Sequence, residues 1–247
     1  TLHGGYIGLD NVVWDVKSVT DSSIVLHYLH PDGMEGYPGN KDITMTYTVT
    51  SGSEFRIDYL ATTDKKTHIN ISNIRSSAQS EANGTVEDYV MSIRASHFIP
   101  IDQLSIPTGE IADVTGTPFD FRTAHTIGQM IGEENEQLRN ARGYDHNWCI
   151  DRETEKEIET MCTVYDPETG RQIEVLSDQP GIQFYSGNFF DGSYCGKVKG
   201  QPIGHREAFA LETQKWPDSI NHPGFTDTVL RPGEVYTQHT VYKFSVK

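Results

Sequence analysis

Glu212 is the residue with the clearest capacity for chemistry. It is the one charged group in the run Ala208-Phe209-Ala210-Leu211-Glu212-Thr213-Gln214, which leads to a Trp216-Pro217 break. An unpaired charge buried in such a strand is costly, so this carboxylate is either paired off or kept as a base. Other polar residues stand in compact segments flanked by Gly or aromatics. These are His3 in Leu2-His3-Gly4-Gly5, Asp145 in Tyr144-Asp145-His146-Asn147, and Gln183 in Pro180-Gly181-Ile182-Gln183-Phe184-Tyr185. Taken singly, each has a structural role open to it: a polar strand end for His3, a turn cap for Asp145, an ordinary strand position for Gln183. No His/Cys/carboxylate group has metal-ligand spacing and no Gly-rich stretch matches a phosphate loop, so neither metal nor cofactor is expected.

The chain has 247 residues, enough for a sizeable core, and its 36% hydrophobic and 22% charged content is that of an ordinary globular protein. A formal charge of −15 argues against nucleic acid and anionic membranes as partners, and says little about a neutral ligand such as a sugar. The apolar runs are too short to cross a bilayer. Three cysteines, Cys149, Cys162 and Cys195, leave at least one unpaired within the chain. The sequons at Asn70 and Asn83 would be glycosylated in a secretory protein, which tilts the expected location towards the extracellular side, with a cytoplasmic one open.

The elements that must position these residues read as strands. From Asp42 to Thr50 the chain alternates, with Ile43, Met45, Tyr47 and Val49 on one face; Phe55, Ile57 and Tyr59 repeat the pattern after Ser51-Gly52-Ser53, predicting a hairpin. Further strands are predicted at 12–19, 23–29, 89–93, 148–150, 161–165, 172–176, 183–185, 208–213 and 235–246, separated by turn formers such as Asp32-Gly33, Thr169-Gly170 and Pro232-Gly233. One helix is predicted, from Ala124 to Ala141, weakened by Gly128 and Gly132. Many closely spaced strands with little helix mean an all-β sandwich or barrel. No repeat or linker divides the chain, so 1–247 reads as a single domain. Tyr37, Trp216 and Phe225 could stack on a ligand, but in a β-sandwich such aromatics are more often core. His146 follows Asp145, and strand alternation would point the two apart.

The segments around His3, Asp145, Gln183 and Glu212, together with Pro31-Asp32-Gly33-Met34-Glu35-Gly36-Tyr37-Pro38-Gly39, occur in the order seen in aldose 1-epimerases. The chain resembles that family, the galactose mutarotases, from Thr1 to Lys247. The resemblance implies a large twisted β-sandwich, the galactose mutarotase-like supersandwich, whose open face carries a monosaccharide site for a hexose such as galactose or glucose. It implies Glu212 as the catalytic base and His3, Asp145 and Gln183 as ligands of sugar hydroxyls. Planar carboxylate and amide groups suit vicinal hydroxyls because they make paired hydrogen bonds.

Two departures from the family pattern stand out. The family's acid is a His in a Thr-Asn-His-x-Tyr-Phe-Asn-Leu segment; here Ser72-Asn73-Ile74-Arg75-Ser76 aligns with it, and Ile74 occupies the His position. His68 lies six residues upstream, about 20 Å along a strand. The family also carries an N-terminal portion with a sugar-binding Arg ahead of the His-Gly-Gly segment, whereas this chain begins at Thr1. The expectation is an N-terminal fragment or second subunit that completes the fold. Two functions are therefore expected from the sequence: an aldose 1-epimerase working through Glu212, or a non-catalytic sugar-recognition protein that has lost the acid.

Overall fold

The computed structural model describes residues 2–73, 76–77, 84–155, 157–193 and 202–247. Ile74, Asn83 and Cys195 lie outside the described residues. In chain order the strands are β1 (Asp15–Val19), β2 (Ser23–His30), β3 (Lys41–Val49), β4 (Glu54–Thr63), β5 (Thr67–His68), β6 (Ser76–Ser77), β7 (Val90–Ile93), β8 (His97–Ile99) and β9 (Ala112–Asp113). They continue with β10 (His125–Thr126), β11 (Asp145–Cys149), β12 (Glu159–Tyr165), β13 (Arg171–Ser177), β14 (Gly181–Tyr185), β15 (Phe209–Gln214), β16 (Val229–Leu230) and β17 (Tyr236–Val246). Two short helices, α1 (Gly128–Ile131) and α2 (Glu136–Ala141), interrupt the series.

The strands form a nine-stranded sheet, β1-β2-β3-β4-β17-β13-β12-β7-β10, and a six-stranded sheet, β6-β15-β14-β11-β8-β9. Every pairing in them is antiparallel. The β3–β4 hairpin follows the alternation in the sequence: Ile43, Met45, Ile57 and Tyr59 are buried on its inner face. The alternation does not bury every apolar residue of that face, since Val49, at the end of β3, is exposed. Side chains from both sheets meet in one core, with Val164, Val175 and Tyr242 from the larger sheet and Trp148, Ile182, Phe184, Phe209 and Leu211 from the smaller. Edge strand β1 is exposed along its whole length, with Val16 and Val19 open to solvent.

The predicted helix from Ala124 to Ala141 is not continuous. His125 and Thr126 pair with β7 as β10, and only two short helical pieces follow. Gly132 ends α1, and Asn135 in extended conformation restarts the chain as the N-cap of α2, its side chain accepting hydrogen bonds from Gln137 N and Leu138 N. The apolar spacing that suggested one helix is satisfied by Ile127, Ile131 and Leu138, all buried in the same core from separate elements. Tyr37, Trp216 and Phe225, expected in the core, are only half-buried and lie outside the core cluster. Cys149 and Cys162 are free thiols buried apart from one another, both held protonated by burial.

Strand β15, which carries Glu212, is fixed from behind by β17 of the other sheet. Tyr242 Oη donates to Leu211 O (3.0 Å), Gln238 Nε2 donates to Thr213 O (3.0 Å), and the Thr213 and Thr240 hydroxyls meet at 2.5 Å. These contacts engage the core-facing side of β15, leaving Ala210, Glu212 and Gln214 on the opposite face.

Candidate active site

Register places the functional side chains. Strands β11, β14 and β15 lie side by side, with Asn147 opposite Gln183 and Gln183 opposite Glu212. One row further along, Asp145 is opposite Tyr185, which is opposite Ala210. Successive residues of a strand point to opposite faces, so Asp145, Asn147, Gln183, Tyr185 and Glu212 share the face turned away from the core. His146 points the other way, as the alternation requires. It is fully buried between Phe98 (5.8 Å) and Phe119 (4.6 Å), and burial pushes its pKa down to about 3. Its neutral ring accepts from Asp145 N through Nδ1 and meets Gln137 Oε1 with Nε2, so it pins β11 to α2 and takes no part in the site.

On the site face, Gln183 Nε2 reaches diagonally to donate to Asp145 Oδ1 at 2.8 Å. Burial raises the Asp145 pKa, while the Gln183 amide and the charge of His3 act in the other direction. His3 therefore lies within electrostatic reach of Asp145. The Glu212 carboxyl makes no hydrogen bond or ion pair with any described residue. Burial, with the Asp145 charge second, pushes its pKa up to about 8. Gln183 Oε1 and Asn147 Oδ1 are both buried without a hydrogen-bond donor. Buried acceptors left unpaired cost about 1–3 kcal/mol each, so this row is built to receive donors such as hydroxyl groups. Asn147 has no prominence in the sequence; its position two residues after Asp145 on a strand is the signal that places it here.

An aromatic wall closes one side. A Cβ on Gly181 would meet Asn147 Oδ1 at 2.7 Å and Trp216 Cδ1 at 3.0 Å, so the absence of a side chain there lets the indole sit against the row. Trp216 donates to Pro180 O (3.2 Å) and packs edge-on against Phe225 (5.4 Å). On the other side, the segment carrying His3 is held by Glu35, whose carboxylate accepts from Tyr6 N (2.9 Å) and Ile7 N (3.0 Å). Both His3 (φ 55°) and Glu35 (φ 51°) adopt left-handed backbone, which costs energy and persists because these contacts hold it.

The remaining candidates fall elsewhere. His68 belongs to the separate β5–β16 pair, where its Nδ1 meets Thr228 Oγ1 at 2.8 Å. Asn70 is exposed, but its side-chain amide is engaged on both sides, donating to Lys215 O (2.9 Å) and accepting from Lys215 N (3.0 Å). With Ser72 Oγ donating to Thr213 O (3.1 Å), it lays the chain before residue 74 along the edge of β15. Among the described residues no group of three or more His, Cys, Asp or Glu is placed to hold a metal ion.

Residues 1–243 match the family model for aldose 1-epimerase, and the chain belongs to that family. It is 38% identical over 247 residues to the galactose mutarotase of Homo sapiens, covering 100% of this chain and 69% of the human protein. The aldose 1-epimerase of Escherichia coli K12 is 32% identical over 98% of this chain and 70% of its own length. Among solved structures, the GalM/aldose epimerase homologue from C. elegans superposes with a TM-score of 0.88 at 28% identity, covering 99% of this chain and 72% of that one. The mutarotase-type β-sandwich expected from the sequence is thus the fold of the protein.

Proposed function

We propose that the protein is an aldose 1-epimerase that interconverts the α and β anomers of a hexose such as galactose or glucose. The observation that carries this reading is Glu212: a carboxyl on a braced strand, free of any described partner, beside a row of unpaired acceptors. Ring opening requires removal of the anomeric hydroxyl proton and delivery of a proton to the ring oxygen. Glu212 serves the first transfer; Asp145, Gln183, Asn147 and His3 hold the other hydroxyls, and Trp216 offers an apolar ring to a sugar face. The names of the relatives, galactose mutarotase and aldose 1-epimerase, support the same substrate class. Polarimetry of freshly dissolved α-galactose tests the reading, since a working enzyme speeds the drift to equilibrium above the spontaneous rate.

A second reading is a non-catalytic sugar-recognition protein. It rests on Ile74, which stands where a proton donor is expected and has no transferable proton. Titration calorimetry separates the two, because a recognition protein binds galactose without accelerating its mutarotation.

Glu35 also enters this reading. Glu35→Ala is expected to weaken galactose binding about tenfold, roughly 1.4 kcal/mol, by releasing the segment that carries His3. Calorimetric titration checks it; an unchanged affinity would mean that His3 is held by other contacts or does not touch the sugar.

A further inference from the structure

The epimerase reading gives Glu212 one proton transfer and leaves the ring oxygen without a donor. Among the described residues, the neighbours of Glu212 on the site face do not supply one. Asp145 is taken up by the Gln183 amide, and Gln183 and Asn147 present bare oxygens to the row. The Tyr185 hydroxyl receives Phe189 N at 2.8 Å and belongs to the next row, about 7 Å along the strand from that of Glu212. His3 sits with Asp145, and Lys215, beyond the end of β15, donates to Asp227 O and lies over the Tyr236 ring. No described cation contacts the Glu212 carboxyl, and the charged group that acts on it is another carboxylate. Such surroundings disfavour the anion and keep the carboxyl protonated through neutrality, with neither of its oxygens engaged by a described residue.

We propose, resting on the epimerase reading above, that the neutral Glu212 carboxyl opens the sugar ring alone, donating from one oxygen while accepting at the other. The two sugar oxygens involved are bonded to a single carbon, as are the two of the carboxyl, so two hydrogen bonds run side by side between matched pairs. The Glu212 hydroxyl gives its proton to the ring oxygen as the bond from that oxygen to the anomeric carbon breaks and its electron pair passes to the oxygen. The electrons of the anomeric O–H bond form the aldehyde C=O, and that proton lands on the other carboxyl oxygen. Glu212 ends neutral, with its proton transposed. After rotation about C1–C2, the reverse exchange closes the other face. No ion forms next to Asp145 at any stage, which suits a carboxyl that no described cation contacts.

The pH dependence of galactose mutarotation, with the spontaneous rate subtracted, tests this. Acceleration is expected to be level below about pH 7 and to fall about tenfold per unit well above the Glu212 pKa near 8. A proton inventory in H₂O/D₂O mixtures is expected to curve, as two protons in flight require. Acceleration that instead climbs through pH 8 would overturn the proposal while leaving the epimerase reading intact, since it would mean an ionised base with a separate acid. Tyr185→Phe is expected to keep the rate within about threefold, and a loss of about 10² or more would assign the ring-oxygen proton to Tyr185. Bound galactose with no acceleration at any pH would overturn the epimerase reading itself, and this proposal with it.

Discussion

Glu212→Gln is expected to lower the rate of mutarotation about 10²–10⁴-fold, the usual worth of a positioned proton-transfer group, and at the same time to make the protein more stable. The second effect follows from linkage. A carboxyl whose pKa rises from 4.5 to about 8 on folding keeps its proton in the native state between those values, while the unfolded chain releases it. The native state binds more protons in that window, so stability falls as pH rises from about 4.5 to 8. At about 1.4 kcal/mol per unit, the loss at pH 8 is about 4 kcal/mol. Gln has the same shape and no charge to desolvate, and it removes this slope. Urea titrations at pH 4 and pH 8 check it: the variant should match the parent at the lower pH and exceed it at the higher. Equal stability at both would mean that Glu212 ionises in the folded protein as easily as in water.

Lys41→Met is expected to stabilise the protein by about 3 kcal/mol at pH 7, raising Tm by roughly 6–12 °C. Lys41 opens β3 on the inner face shared with Ile43 and Met45, and only 4% of it is exposed. Its ammonium has no hydrogen-bond acceptor among the described residues; the Tyr37 ring, 5.0 Å from Nζ to the centroid, and the charge of Asp32 compensate it only in part. His30, opposite it in register and also buried, leaves its Nδ1 unpaired and repels the charge when protonated. Burial is the main cause that pushes the Lys41 pKa down to about 8 from 10.5. Between those values the unfolded chain holds the proton and the native state does not, so parental stability should rise with pH from about 8 to 10.5. Below that window the full penalty is present, and Met removes it while filling similar volume. Thermal melts of both forms at pH 7 and pH 10 check this. A variant that melts lower than its parent at pH 7 would show that the ammonium has an acceptor after all.

Much of the fold was legible because period-two alternation is a strong signal when one face is buried. Ile43, Met45, Ile57 and Tyr59 marked the β3–β4 hairpin, and the parity of Asp145 and His146 separated a site residue from a core one. The failures have physical causes. The segment from Ala124 to Ala141 buries Ile127, Ile131 and Leu138 at helix-like spacing although Gly132 and Asn135 break the backbone between them. Residue type alone puts Trp216 and Phe225 in the core, whereas Gly181, a neighbour only in space, leaves room for Trp216 on the site face. Glu212, Asp145, Gln183 and His3 stood out through family motifs, but their grouping depends on register between strands distant in sequence. Asn147 and Glu35 emerge only from that grouping. Lys41 did carry a signal, a charge at an inward position of an alternating strand.

The most direct test of the account is α-to-β exchange of galactose followed by NMR, with the purified protein beside its Glu212→Gln variant. The expected result is acceleration over the spontaneous exchange that is lost in the variant while galactose still binds. Binding without acceleration in either form, or equal acceleration in both, would contradict the assignment of Glu212 as the group that moves the proton.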